Sequence, residues 1–232
     1  MPWSPPPLGH RPTHRAGTAR PAMIALPHLE PHMTTARDLA IVAAGPESNP
    51  GVEQGDLSLA LAGAELIDLI DSHTVTLESD RLVPGAPPEI DDPLLREAAS
   101  ALLRQEPYET VGDWLRRRGR DLAAHYRAAL EADGLVAPAR PRRNPFRRAS
   151  PTSPDAPELR LAAERWSTGE AALLGLGAAA GVTDQPDTPS TGLTDDQGVV
   201  VGTVYDAVTQ LAAVRQRETI EQAAFDNIWR GN

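Results

Sequence analysis

Apolar residues begin to recur at regular intervals only from residue 33 onward. The stretch MTTARDLAIVAAG, over 33–45, is a short apolar piece that reads as a helix or a strand. In GDLSLALAGAELIDLID, residues Leu59, Ala62, Gly63, Leu66, Leu69 and Ile70 fall at helical spacing, which predicts a helix. Asp56 is its expected N-cap, because a carboxylate can accept from the free amides of a first turn. His73–Leu77 and Arg81–Val83 then flank the polar Glu78–Ser79–Asp80, the pattern of a small hairpin.

Further along, Asp92 and Pro93 have the form of an N-cap followed by proline at the first helical position, where a missing amide hydrogen costs nothing. That helix carries Leu95, Ala98, Ala99 and Leu102. Thr110 and Asp113 form a capping box with aspartate in place of glutamate, ahead of Trp114. Gly119 interrupts, and the pattern resumes over 121–133 with Leu122, Tyr126, Ala129 and Leu130 inward. Gly134 is placed to end this helix in the left-handed conformation. Residues 158–166, 168–180 and 203–229 also read as helices, with a turn-rich connector over 182–198 between the last two.

Two segments break the rhythm. Residues 1–32 hold eight prolines and four of the six histidines. Proline at that density blocks helix and ladder hydrogen bonding, so a disordered tail is expected. It has no continuous apolar stretch of the kind a secretory signal carries, and it is also readable as an over-extended start. Residues 138–157 hold six prolines and five arginines and read as an exposed loop. The expected architecture is therefore mainly α, a single helical-bundle domain over 33–232 with one or two short β-hairpins, preceded by the tail.

Composition narrows the function. The formal charge is −10, the opposite of what a protein built to grip nucleic acid carries, so no nucleic-acid partner is expected. All 22 basic residues are arginine, a bias that fits GC-rich bacterial codon usage. There is no cysteine, which removes disulfides, thiol catalysis and cysteine-ligated metals. No apolar run approaches the ~18 residues of a membrane-spanning helix, so any membrane contact is expected to be peripheral, from the cytoplasmic side.

Catalytic patterns are not found. Outside the tail only His73, read as lying in a strand, and His125, on a helix, could serve as bases, and no serine sits in a GxSxG turn. Asp68 and Asp71 read as a solvated helix face, as do Asp195 and Asp196 in a loop. Gly175 and Gly177 lie inside an apolar helix and suit close packing rather than phosphate binding. The chain reads as non-enzymatic, with no cofactor and no metal.

Two arginine groups stand out on this acidic protein. Arg116, Arg117, Arg118 and Arg120 follow Trp114; Arg140, Arg142, Arg143, Arg147 and Arg148 surround Phe146. Guanidinium groups bind phosphate with paired donors, and a basic loop with an aromatic at its centre suits an anionic membrane. These residues are the candidate headgroup or anion contacts. The candidate partners are an anionic phospholipid surface or another protein.

Three stretches resemble the Golgi phosphoprotein 3 family, which includes many bacterial members. They are LALAGAELIDLIDSHTVTL at Leu59–Leu77, DPLL at Asp92–Leu95 with ETVGDWL at Glu109–Leu115, and LEADGLV at Leu130–Val136. The likeness covers about 33–136; beyond that only the helical pattern agrees. It implies a mostly helical domain, with a β-hairpin after Gly134. Eukaryotic members bind phosphatidylinositol 4-phosphate and act as membrane adaptors for glycosyltransferases, through a pocket of one tryptophan and several arginines. On this chain the tryptophan position falls near Glu53. The arginine positions fall at Ala62, Arg120 and Ala123, of which Arg120 alone matches. The resemblance thus implies an adaptor, with a protein-interaction module that has lost lipid binding as its alternative.

Overall fold

A computed structural model describes Met1 and residues 34–86, 90–138, 156–183 and 192–230. The expected tail over 1–32 and nearly all of the arginine–proline loop lie outside the described residues, as does the segment in which a second hairpin was expected.

The chain from residue 34 onward forms one unit of helices α1 (Thr35–Ala44), α2 (Gln54–Asp71), α3 (Pro93–Ala101), α4 (Val111–Arg118), α5 (Leu122–Ala132), α6 (Pro157–Ser167), α7 (Ala171–Ala179) and α8 (Asp195–Arg230). Strands β1 (Val75–Glu78) and β2 (Arg81–Pro84) pair antiparallel after α2, with Val75 opposite Pro84 and Glu78 opposite Arg81. The fold is mainly α with one small hairpin. His73 stands in the turn before β1, at φ 56°, rather than in the strand.

Helix α2 is the axis of the bundle and packs against α1, α4, α5, α7 and α8. Enclosure on most sides explains why its side chains are buried almost all round, from Leu57 through Ile67 apart from Leu59. A helix surrounded in this way needs little amphipathic contrast. Close approach is obtained with glycine. A Cβ at Gly63 would lie 2.6 Å from Val204 Cγ2 on α8 and 3.2 Å from Leu176 Cδ2 on α7. Gly177 likewise makes room for the Trp166 ring, which would come within 2.5 Å of a Cβ there.

Local signals set several boundaries. Asp92 accepts from Leu95 N at 2.8 Å, with Pro93 following, and Thr110 with Asp113 completes both halves of the capping box. Gly134 adopts φ 74°, and Leu135 N donates to Leu130 O at 2.9 Å, closing α5 as a left-handed glycine does.

Two capping expectations change. The N-cap of α2 is Glu53, with no side-chain cap bond; Asp56 sits in the first turn and binds Arg215 at 2.6 and 2.8 Å. Helix α8 begins at Asp195, eight residues before the expected 203. Thr194 accepts from Gln197 N, and Gln197 accepts from Thr194 N, each at 3.2 Å. This Thr-x-x-Gln box places Asp195 and Asp196 in the first turn of a helix, where negative charge is favourable.

Asp68 is also placed differently from a solvated face. Its two carboxylate oxygens accept from Thr35 N at 2.9 Å and Ala36 N at 3.1 Å, closing the N-terminus of α1 from across the bundle. Burial pushes its carboxyl up to about 7, against the pull of those amides and of Arg165. Arg165 in turn pairs with buried Asp38 and reaches Glu170 at 3.3 Å, tying α6 to α1 and to the start of α7.

Candidate functional site

Helix α4 carries the first arginine group, and its capping box fixes where each side chain points. With Thr110 as cap, Val111, Trp114 and Leu115 face inward and are buried. Trp114 is fully enclosed, and its indole N–H donates to Ala62 O on α2 at 2.9 Å. It therefore anchors α4 rather than presenting a ring to solvent. Arg116, Arg117 and Arg118 fill the last turn, where cations complement the negative end of the helix dipole.

The four arginines of this group have different fates. Arg118 is drawn into the body: its Nε and Nη2 bind the two oxygens of Glu65 at 2.7 and 2.9 Å, and its Nη1 binds Glu97 at 2.7 Å. Glu65 is fully buried, and the Tyr126 hydroxyl donates to it at 3.1 Å. Burial raises the Glu65 carboxyl above the ordinary range, opposed by Arg118 and Tyr126. Burial also lowers the Arg118 guanidinium, but its two carboxylates outweigh that and raise it overall.

Arg117 binds Glu109 at 2.7 and 2.9 Å and Ala101 O at 3.0 Å, with its guanidinium carbon 5.4 Å from the Trp114 ring centroid. Arg116 is exposed and pairs with Asp113, one turn back on its own helix. Arg120 is exposed in the turn after α4, and among the described residues it forms no ion pair or hydrogen bond.

Two hollows meet along this edge. One is a groove of about 520 Å³ between the start of α2, α4 and α8, with Leu59, Leu115, Leu211 and Val214 in its lining. The other, of about 540 Å³, is bordered by Arg81, Tyr108, Glu109 and Arg117, with the half-exposed Leu103. Arg116 and Arg120 line both. Arg81, Leu103 and Tyr108 were not recognisable as site residues in the sequence, because strand β2 and the connection between α3 and α4 bring them to α4 only on folding. Among the described residues no group of acidic or histidine side chains could hold a metal, and no helix is long and apolar enough to cross a membrane.

The family model of Golgi phosphoprotein 3 (GPP34) matches residues 36–221, from α1 into the second half of α8. The chain belongs to the Golgi phosphoprotein 3 family. No curated protein matches the chain. The family match extends past the stretch over which likeness was recognisable by residue, and takes in α6, α7 and most of α8.

The positions that the family resemblance assigns to headgroup contacts diverge in this member. Ala62 and Ala123 are buried in the bundle, and Glu53 Oε2 lies 3.4 Å from Arg215 Nη1. Arg120 alone is an exposed cation. The second arginine group, Arg140, Arg142, Arg143, Arg147 and Arg148, lies outside the described residues with Phe146.

Proposed function

We propose that this family member is a non-enzymatic peripheral membrane adaptor that meets anionic phospholipid headgroups through the exposed edge of α4, on the cytoplasmic face of a membrane. The observation that carries this reading is the position of Arg116 and Arg120. Of the four arginines in the first group they are the two not bound by buried acids, and they stand together where the two hollows meet. A phosphate oxygen accepts well from such guanidiniums, and each cation near an anionic surface adds about 1 kcal/mol of attraction. The half-exposed Leu103 beside them supplies an apolar contact at the same edge. In this reading the loop arginines 140–148 add to the same attraction.

Vesicle flotation tests it. The chain is expected to float with vesicles containing anionic phospholipid and not with neutral phosphatidylcholine vesicles. The double substitution Arg116→Glu with Arg120→Glu should lower recovery several-fold, and changing the five loop arginines to alanine should lower it further. Equal recovery on both vesicle types, unaffected by either set, removes the lipid reading.

A second reading, a protein-interaction module that does not bind lipid, is favoured by the commitment of Arg117 and Arg118 to Glu109 and Glu65. It predicts a partner retained on the chain after delipidation, and retained equally by the loop-alanine variant.

A further inference from the structure

The far end of α8 is built differently from the rest of the bundle. The helix runs for 36 residues, about 54 Å at 1.5 Å per residue. Its first half packs on α2, α4 and α7. The last ion pair joining it to α2 among the described residues is that of Arg215 with Asp56 and Glu53. Beyond it, every side chain from Gln216 to Ala223 is exposed, and so is Phe225. Apart from Met1, the exposed large apolar side chains among the described residues are Leu103, Val199, Val214, Ile220 and Phe225. Two of these five, Ile220 and Phe225, lie on this arm beyond Arg215, and Val214 lies one residue before it.

Its charges follow a pattern. Val214, Arg217 and Glu221 recur at intervals of three and four and share one face, with Ala213 and Phe225 on its flanks. Among the described residues neither Arg217 nor Glu221 forms an ion pair. A face holding full charges of both signs between apolar residues is unsuited to lipid, where either ion would be stripped of water. It suits a surface with the same charges in reverse order.

We propose that this arm is a self-association surface, on which a second copy of the chain pairs antiparallel about a two-fold axis at Thr219. That axis sets Arg217 of each copy against Glu221 of the other, and Ala213 of each against Phe225 of the other. Two reciprocal ion pairs then sit at the centre, with apolar contacts on either side, as an isologous interface requires. Parallel pairing would oppose Arg217 to Arg217 and Glu221 to Glu221, and is disfavoured by like charges.

The test is sedimentation of the full chain over a range of concentrations, with circular dichroism to verify that each variant is folded. The wild-type chain should dimerise. Arg217→Glu alone or Glu221→Arg alone turns both ion pairs into repulsions and should weaken the dimer about tenfold or more. The double variant Arg217→Glu with Glu221→Arg exchanges the charges and should recover the dimer. An equal mixture of the two single variants should form a heterodimer that neither forms alone. A wild-type chain that stays monomeric up to several hundred micromolar, single reversals that leave the dimer unchanged, or a mixture that remains monomeric would each overturn the proposal.

Discussion

Arg118 and Glu65 are 53 residues apart in the chain and meet as a two-toothed ion pair inside the bundle, with N–O distances of 2.7 and 2.9 Å. Tyr126 donates to the same carboxylate, so that one buried acid joins α2, α4 and α5. One of the four arginines that the sequence offers as ligand contacts is thus a structural bolt.

Removing one side of this pair should be costly, because it leaves a bare charge in the core. Arg118→Ala is expected to lower unfolding free energy by about 3–5 kcal/mol, read as a lower midpoint in urea. Replacing both partners with apolar groups, Glu65→Leu with Arg118→Met, should recover most of that loss. If the single and double variants lose the same amount, the pair is not the source of the stability.

Asp68 should make stability fall as pH rises. Its carboxyl is raised from 3.8 to about 7 in the folded chain, so between those values the folded state holds a proton that the unfolded state has released. Stability contributed by the protonated group is complete below about pH 4 and lost on passing pH 7, on the order of 4 kcal/mol by linkage. Asp68→Asn should flatten the stability profile across that window relative to wild type. Parallel profiles for the two proteins would show that Asp68 does not titrate there.

Trp114→Phe should separate anchoring from ligand contact. Loss of the indole bond to Ala62 O, together with the space left behind, should cost about 1–3 kcal/mol. Vesicle recovery should stay at the wild-type level at temperatures where the variant is folded. A variant that keeps its stability but loses vesicle binding would place Trp114 in the headgroup site instead.

Glycine substitutions should have opposite signs at two helical positions. At Gly63 an added methyl overlaps Val204 on α8; overpacking costs about 1–3 kcal/mol, more than the gain of up to about 1 kcal/mol in helix propensity. Gly202 on α8 is exposed, with nothing within 4 Å of an added Cβ, so Gly202→Ala should stabilise by about 0.5–1 kcal/mol. Thermal unfolding of the two variants checks both signs, and equal shifts would contradict the packing described here.

The parts of the fold legible in sequence were those written in neighbouring residues. Asp92 with Pro93, Thr110 with Asp113, and Gly134 mark helix ends through contacts spanning a few positions, and each is found as the spacing predicts. The start of α8 is marked just as locally, by Thr194 and Gln197, yet the dense prolines and acids around it read as a continuous turn. Asp56 was misjudged for a related reason. It is a good cap by type, but Arg215, 159 residues away, takes its carboxylate.

The candidate site was harder to read, since sequence places arginines along a helix without saying which acids they will meet. By itself the sequence determined the helical class, the hairpin, several helix boundaries and the family likeness, because hydrophobic period, capping and turn chemistry act over a few residues. Tertiary structure alone decided that Arg118 and Arg117 are bound by Glu65 and Glu109, that Trp114 is an anchor, that Asp68 caps α1, and that Arg116 and Arg120 remain at an open edge. Those outcomes depend on which distant side chains share a low-dielectric interior, and only packing the helices against α2 brings them together.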